Sequence, residues 1–418
     1  MKTARRVVVT GLGALTPIGN TVEEYWDGLV QGKSGAASVK KFDTTHYKTK
    51  FACEVKNLNV EDFIDRKEAR RIDPFTQYAI IAADQAMKDA GFDLEKTNKD
   101  RFGVIMASGI GGLKTLQEEV EGFANNNRIP RFNPFFVPKM IVDICSGHVS
   151  IKYGLRGPNF VTVSACASSN NAMVDAFNYI RWGISDVILT GGCESSVTEV
   201  GLGGFIALKA MSERNDSPET ASRPYDKDRD GFVMGEGAGI LIFEELEHAK
   251  ARGAKIYAEI IGGGLSADAY HMTAPHPEGY GAYLVMKNAL EDAGIGIEDV
   301  DYINTHGTST PIGDPSEIKA VQQLFGEHAY KLNISSTKSM TGHLLGAAGS
   351  IEAIAGICAI QRQIIPPTIN HFTPDEQFDS RLNFTFNKAQ QRKVDVVLSN
   401  TFGFGGHNCA VVLKRYID

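Results

Sequence analysis

The sequence VTVSACASSN, residues 161–170, decides the fold, because an apolar strand passes into small residues and then into a predicted helix over 171–182. This order of strand, turn and helix is typical of layered α/β proteins. Cys166 lies in the turn, where the helix dipole favours a thiolate and unpaired backbone N–H groups can hold an oxyanion. The alternative is a buried structural cysteine, which describes most cysteines. The turn alone supports both interpretations equally.

Strand and helix patterns alternate outward from this turn along the whole chain. The predicted strands are 7–10, 102–107, 160–163, 187–190, 238–244, 256–262, 300–304, 334–336, 394–400 and 410–413. The predicted helices are 23–31, 76–90, 171–182, 245–253, 282–294, 317–325 and 350–361. Similar element order on both sides of residue 260 predicts an α/β protein of two intimately paired halves, 1–260 and 261–418.

The composition argues against several classes of protein. A formal net charge of −7 and a pI of about 5.9 disfavour nucleic-acid binding through an overall basic surface. No segment reaches the ~18 consecutive apolar residues of a membrane span. The apolar run 7–9 is too short for a secretory signal, so we expect a buried first strand and a cytoplasmic protein.

The six cysteines are not spaced as a disulfide framework or a zinc site. None form a CxxC pair, and the close Cys–His pairs at 145 and 148 and at 407 and 409 belong to no four-ligand pattern. We therefore expect five of them to be small buried hydrophobes: Cys53, Cys145, Cys193, Cys358 and Cys409.

Two histidines strengthen the chemical interpretation of Cys166. His306 and His343 both lie on turns rich in Gly, Ser and Thr that follow predicted strands, the position where α/β sheets place their sites. A lone loop histidine is more often a surface residue, but two in matching contexts are harder to explain in that way. A thiolate with imidazoles suits acyl transfer, and two converging N–H donors would stabilise an enolate.

The segment SNTFGFGGHN, residues 399–408, is the last with the character of a site. Its glycines permit a backbone shape close to a ligand, although the spacing is not that of a phosphate-binding loop. Phe402 and Phe404 suit either the core or a hinged gate over an acyl pocket.

These segments together resemble the β-ketoacyl-[acyl-carrier-protein] synthases of the thiolase-like superfamily, and within it the type II elongating group of bacterial fatty-acid synthesis. The resemblance runs from VVVTGLG at 7–13 to GGHN at 405–408, through YGLRGP at 153–158, RPYD at 223–226, RDGF at 229–232 and both histidine motifs. It implies a five-layered αβαβα fold of two pseudo-duplicated halves, with the nucleophile on the first and both histidines on the second, and a homodimer.

The resemblance also implies a reaction. An acyl group moves from acyl carrier protein to Cys166, malonyl carrier protein loses carbon dioxide, and the enolate attacks the acyl thioester to give a 3-oxoacyl product two carbons longer. The N–H groups of Cys166 and Phe404 would form the oxyanion hole, and His306 and His343 would hold the malonyl carbonyl. Lys338 would support the site electrostatically, within a network that includes Asp314 and Glu317.

Further roles follow from the resemblance alone. Ile110 would gate acyl length, Phe205 would line the same pocket, and Phe402 would belong to the gate. Thr308 and Thr310 would contact the phosphopantetheine arm. The residues expected to dock the carrier protein, which otherwise form a solvated face, are Lys67, Arg70, Arg71, Arg128 and Lys209. No cofactor is implied beyond a possible structural Na⁺ or K⁺ at Asn304, Glu352, Ser399 and Asn400. His407 stands where many relatives carry Thr.

Four alternatives remain open. A type I synthase or a stand-alone polyketide ketosynthase would share these motifs, although Ile110 favours type II. A chain-length factor lacks the cysteine, so Cys166 argues against that non-catalytic subunit. A carrier-protein binding module belongs to a different class and would not need Cys166. A biosynthetic thiolase is disfavoured because it uses a second cysteine where this chain has a pair of histidines.

Overall fold

The computed structural model describes residues 4–418, so the first three residues of the predicted first half lie outside the described part. The strands are β1 Val7–Leu15, β2 Ala37–Ser38, β3 Phe51–Ala52, β4 Phe102–Ala107, β5 Asn159–Thr162, β6 Val187–Glu194, β7 Gly237–Glu245, β8 Ala258–Ala267, β9 Tyr302–Asn304, β10 Asn333–Ser335, β11 Ile364–Ile365, β12 Gln390–Gln391, β13 Val396–Gly403 and β14 His407–Lys414. The helices are α1 Val22–Val30, α2 Arg66–Ala69, α3 Pro74–Ala90, α4 Leu113–Asn125, α5 Phe136–Met140, α6 Ile144–Tyr153, α7 Ser168–Arg181, α8 Glu199–Ala207, α9 Leu246–Ala251, α10 Tyr280–Ala293, α11 Gly313–Phe325, α12 Lys338–Thr341 and α13 Ala348–Arg362.

Ten of the strands form one mixed sheet in the order β10-β9-β13-β14-β8-β1-β7-β6-β4-β5. The pattern of parallel and antiparallel pairing is the same from either edge of the sheet. Three parallel strands lie at each edge, β5-β4-β6 and β10-β9-β13, and antiparallel strands follow inward. The two sets of five strands meet where β1 pairs with β8 in antiparallel register, Val7 opposite Ile260. The strand order is therefore duplicated about this junction.

The helices make the protein five-layered. α3 and α6 pack on the outer face of the first five strands, and α10 and α11 pack on the outer face of the second five. α7 and α13 share one core with strands of both sets, so they form the middle layer. The αβαβα fold of two pseudo-duplicated halves is thus confirmed, and the expected pair 238–244 and 256–262 becomes β7 and β8, with β1 between them.

Local sequence explains where the long helix α3 begins and ends. Asp73 caps its N-terminus by accepting a hydrogen bond from Phe75 N–H, and Pro74 occupies the first turn, where its missing N–H costs nothing. Gly91 ends the helix in the left-handed region at φ 65°, which a residue with a side chain rarely adopts. α3 therefore covers the outer face of the first half without fraying into the loop that follows.

The middle helices are entered by matching turns. A single 3-10 turn, Ala165–Ala167, precedes α7, and another, Leu345–Ala347, precedes α13. Each opens with a residue forced into the left-handed region, Ala165 at φ 51° and Leu345 at φ 48°. Such strain persists only where the surroundings hold it, and it is common at functional sites. The two halves therefore place equivalent turns at the centre of the molecule.

No helix within residues 4–418 has the length and apolar character needed to cross a membrane. The division into 1–260 and 261–418 stays a prediction, and residue 260 itself lies within β8.

Candidate active site

Cys166 sits in the middle of the 3-10 turn between β5 and α7, with 7% of its surface exposed. That exposed part faces a cavity of about 400 Å³ that His306, His343 and Phe404 also line. The predicted cysteine and both histidines therefore meet at one cavity, although the histidines come from the other half of the chain.

Burial works against ionisation of the Cys166 thiol. It raises the pKa of Cys166 to about 12, and the charge of Lys338 and the N–H groups of Phe404 and Cys166 only partly oppose that effect. Desolvation therefore opposes the thiolate that the helix dipole is expected to favour. The same N–H groups still point at the sulfur, where an oxyanion would form beside it.

The two imidazoles lie edge to face, with ring centroids 5.3 Å apart. His343 is fixed by backbone hydrogen bonds on both sides: its N–H donates to Val233 O at 2.7 Å, and its carbonyl accepts from Gly235 N at 2.8 Å. Neither ring nitrogen of His343 has a partner, and Nδ1 of His306 also lacks one. These buried polar atoms are available to a substrate.

Both imidazoles are held neutral. Burial lowers the pKa of His306 and of His343 well below the usual range, and the positive charge of Lys338 lowers both further. A neutral imidazole carries one N–H donor, whereas an imidazolium would carry two. The rings therefore suit donation to a carbonyl oxygen without prior protonation.

The loop at the end of β13 closes over Cys166. A Cβ atom added to Gly403 would lie 2.6 Å from Ser164 O and 3.1 Å from Cys166 N, so only glycine fits there. The ring of Phe402 packs against that of His306 at a tilt of 50°, with centroids 5.5 Å apart, and the ring centroid of Phe404 lies 6.4 Å from that of Phe205. The predicted gate residues Phe402 and Phe404 both line the cavity.

Lys338 lies behind the histidines rather than in the cavity. It begins α12, is 1% exposed, and forms an ion pair with Glu352 on α13. Burial raises the pKa of Glu352 to about 7, while the Lys338 charge opposes that rise. Lys338 acts on the site through its charge, because it does not touch the space where a substrate would lie.

The predicted cation ligands surround a group of unpartnered atoms. Asn304 Oδ1, Glu352 Oε2, Ser399 Oγ and Asn400 Oδ1 are buried oxygens without a hydrogen-bond partner. Oxygen donors with one carboxylate fit a hard monovalent cation. The residues present therefore fit the expected Na⁺ or K⁺.

Two acidic residues hold the loop of His306. Glu317 on α11 accepts from His306 N and Gly307 N, both at 2.9 Å, and burial raises its pKa to about 7. Asp314 accepts from Tyr225 N at 3.1 Å and from Thr310 N at 3.3 Å, and burial raises its pKa to about 6. Both predicted network residues thus contact the backbone of the histidine loop.

The predicted substrate contacts divide into two groups. Phe205, Thr308 and Thr310 line the cavity that reaches Cys166 from the surface. Ile110 does not line this cavity. Ile110 instead lies in a loop tied to Glu194, where its gating role stays a prediction.

The five basic residues predicted to dock a carrier protein are all exposed: Lys67, Arg70, Arg71, Arg128 and Lys209. Lys209 stands at the cavity mouth. The Arg71 guanidinium lies 5.1 Å from the ring of Phe135, which is 41% exposed. Arg71 and Phe135 therefore place positive charge beside exposed aromatic surface.

Two residues in or near the site received no role from the sequence. Phe232 packs edge-on against His343 with centroids 5.6 Å apart and lines the cavity. Glu194 is a fully buried carboxylate beside the loop of Ile110. The sequence does contain a signal for Glu194, an acidic residue at the end of an apolar strand. A buried charge needs hydrogen-bond partners, so such a residue is expected to hold neighbouring loops.

Comparison with protein families covers most of the chain. Residues 4–249 match the family described as Beta-ketoacyl synthase, N-terminal domain, and residues 257–372 match Beta-ketoacyl synthase, C-terminal domain. A Coxiella burnetii protein named 3-oxoacyl-[acyl-carrier-protein] synthase 2 is 49% identical over 415 residues, which are 99% of each chain. A Staphylococcus aureus protein of the same name is 50% identical over 416 residues, 100% of each.

Solved structures share the fold over the whole length. A beta-ketoacyl synthase from Burkholderia phymatum superposes with a TM-score of 0.91 at 33% identity, covering 99% of this chain and 100% of that one. A type II PKS ketosynthase, solved with its acyl-carrier protein and bound to a hexaketide, gives the same TM-score, identity and coverage.

Proposed function

Because the chain belongs to the β-ketoacyl synthase family, we propose that it catalyses the decarboxylative condensation of an acyl group on Cys166 with malonyl-[acyl carrier protein]. The product is a 3-oxoacyl-[acyl carrier protein] two carbons longer, in fatty-acid elongation. The observation that carries this function is the meeting of Cys166 with two neutral, unpartnered imidazoles at one cavity.

In the first half-reaction, the sulfur of Cys166 attacks the acyl thioester carbonyl. The N–H groups of Cys166 and Phe404 donate to the oxygen that becomes negative, which favours the tetrahedral intermediate. When this collapses, the carrier thiol leaves and takes up the proton that Cys166 lost. Thr308 and Thr310 offer hydroxyl groups along the cavity to the phosphopantetheine arm.

In the second half-reaction, malonyl carrier protein occupies the same cavity. His306 and His343 donate hydrogen bonds to its thioester oxygen, so the enolate left by loss of carbon dioxide is stabilised. The enolate carbon attacks the acyl carbonyl, the bond to the sulfur of Cys166 breaks, and the thiolate that leaves takes up a proton from water. Burial of the site keeps water away from the enolate.

The partner is an acyl carrier protein, which presents its substrate through the basic face of Lys67, Arg70, Arg71, Arg128 and Lys209. Carrier proteins are acidic, so this face provides complementary charge, and Lys209 lies where the arm enters. A related ketosynthase is solved with its carrier protein. The cytoplasmic location expected from the sequence stays a prediction.

A homodimer is supported by the free edge of the large sheet. β5 pairs with β4 on one side, and no strand of residues 4–418 lies on its other side. The opposite edge, β10, is covered instead, because Ile334 N–H donates to Asn383 O. Val163, directly after β5, is 58% exposed, so an apolar edge is open to a second copy of the chain.

A monovalent cation at Asn304, Glu352, Ser399 and Asn400 is part of the same proposal. Bound there, it would contact oxygens from β9, β13 and α13 and so tie the strands that lead to His306 and to Phe404 to a middle helix. Its part is structural, because these atoms do not line the cavity.

The proposed function is tested by separating the two half-reactions. Wild-type protein should convert acyl and malonyl carrier proteins to the 3-oxoacyl product. His306→Ala and His343→Ala should still accept the acyl group but lose condensation by about 10²-fold or more each, the cost of one oxyanion donor. Full condensation in both histidine variants would contradict the assigned roles. A polyketide ketosynthase remains the alternative, and repeated extension of one chain without reduction would favour it.

A further inference from the structure

Glu194 is a buried carboxylate that the reaction described above does not use. It is the last residue of β6 and is fully buried. Its hydrogen-bond partners are one hydroxyl and four backbone N–H groups, contributed by two separate loops. These five donors offset the cost of burying the carboxylate, and they tie Glu194 to both loops at once.

The two carboxylate oxygens join the acyl-gating loop to the turn that follows His343. Glu194 Oε2 accepts from Gly109 N at 2.7 Å and from Gly346 N at 3.0 Å. Glu194 Oε1 accepts from Ser108 Oγ at 3.0 Å, and more weakly from Ile110 N at 3.3 Å and Gly111 N at 3.4 Å. The loop of Ile110 is therefore held to the other half of the chain through one side chain.

The same loop touches the nucleophile's turn. A Cβ atom added to Gly109 would lie 2.9 Å from Glu194 Oε2, 3.4 Å from Ala165 O and 3.4 Å from Gly346 N. Ala165 directly precedes Cys166. The carboxylate thus sits where the Ile110 loop, the Cys166 turn and the Gly346 turn come together.

The duplicated halves provide an internal comparison. β6 and β13 hold the same place in the two halves, and each ends beside one of the matching 3-10 turns. β13 ends in Gly403, where an added Cβ atom would lie 3.1 Å from Cys166 N. β6 ends in Glu194, whose Oε2 lies 3.0 Å from Gly346 N. The Leu345–Ala347 turn thus donates to a carboxylate oxygen of the protein. The equivalent Ala165–Ala167 turn leaves the corresponding space for the oxyanion of the substrate.

We propose that Glu194 is a positioning residue, whose carboxylate fixes the Ile110 loop against the Gly346 turn and so determines which acyl chains Cys166 accepts. This inference rests on the proposed acyl transfer to Cys166 and on the predicted gating of acyl length by Ile110. An amide cannot replace the carboxylate, because it has one acceptor oxygen and would set its NH₂ group against the N–H donors.

The test compares Glu194→Gln with the wild-type full-length protein. Acylation of Cys166 is timed with carrier protein bearing either a short or a long acyl chain, and kcat/KM is obtained for each. We expect the long-to-short ratio to fall about tenfold or more in the variant, the effect of losing one hydrogen bond to a charged group. Under the predicted gating only the long chain passes the Ile110 loop, so a general loss of structure would lower both rates instead of the ratio.

Glu244→Gln is the matched control. Glu244 is also fully buried and accepts from Thr10, His248 and Arg252, but it lies at the opposite end of the β6–β7 pair, across from Val187. It should keep the wild-type ratio. A wild-type ratio in a folded Glu194→Gln variant would overturn the inference, and so would an equal shift in Glu244→Gln.

If Glu194→Gln fails to fold, Ser108→Ala takes its place. It removes one donor to Oε1 without adding bulk, and it should lower the long-to-short ratio by a smaller factor in the same direction. An unchanged ratio in Ser108→Ala would then overturn the inference. Absence of acylation in the wild type would instead contradict the proposed function itself, so the two failures are distinguishable.

Discussion

The Cys166 thiol and the two imidazoles beside it share one property, which is that burial disfavours the charged form of each. Lys338 adds to this for the histidines and opposes it for the thiol. Burial therefore works against a thiolate–imidazolium pair of the kind that activates many cysteine nucleophiles. We expect negative charge to develop only when the substrate carbonyl accepts hydrogen bonds from the N–H groups of Cys166 and Phe404. A largely neutral thiol in the free enzyme would undergo fewer side reactions.

The pH dependence of alkylation tests this resting state. With a pKa of about 12, only about one thiol in 10⁴ is ionised at pH 8. The rate of Cys166 alkylation by iodoacetamide should therefore rise about tenfold per pH unit from pH 7 to pH 10, without a plateau. Cys166→Ala supplies the background rate. A plateau with a midpoint near pH 8 would show that the thiol is far more acidic than burial allows.

At the level of secondary-structure elements, the end of β13 packs closely against the turn that carries Cys166. Gly403 lies so close to Cys166 N that a methyl group there would cover the proposed oxyanion donor. We expect Gly403→Ala to lower the rate of acyl transfer by about 10²–10³-fold, the effect of removing one such donor. Transient acylation by acyl carrier protein measures this step directly.

Gly147→Ala is the control for that substitution. Gly147 lies within α6, and an added methyl group would meet only Ile144 Cδ1, at 4.0 Å. The change should leave acylation unaltered and stabilise the protein by up to about 1 kcal/mol, since alanine favours a helix. Equal loss of activity in both variants would show that the effect at 403 is not local.

Sequence patterns predicted the long strands and the middle helices, because apolar runs next to glycine-rich turns are strong local signals. They did not predict α4, α5, α6 or α8, the helices between residues 113 and 207 other than α7. α4 has a single buried residue, Thr115, so its apolar residues mark no core-facing stripe. The pKa of Cys166 and the contacts of Glu194 depend on residues distant in sequence, and periodicity carries no information about them.

At the scale of the whole molecule, the active site exists only because the halves are paired. The first half contributes Cys166, the second contributes both histidines and the closing loop, and α7 and α13 bring the two together in one core. The ten-stranded sheet, with five strands from each half, has β5 at one end, and the outer side of β5 is unpaired within residues 4–418.

The dimer proposed from this edge is tested by Val163→Lys. A lysine at an exposed strand edge opposes pairing, so the variant should sediment as a monomer at concentrations where the wild type sediments as a dimer. Ile417→Lys, at an apolar residue that is 68% exposed near the C-terminus, should leave the dimer intact. A Val163→Lys protein with the mass of a dimer would place the interface elsewhere.

Every step proposed for this enzyme depends on Cys166 carrying the acyl group. Intact-protein mass spectrometry after incubation with acyl carrier proteins of graded chain length detects that acylation. We expect a single mass gain equal to the acyl group, located on the peptide that contains Cys166, and no gain in Cys166→Ala. A mass gain that persists in Cys166→Ala, or one that maps to another residue, would contradict it.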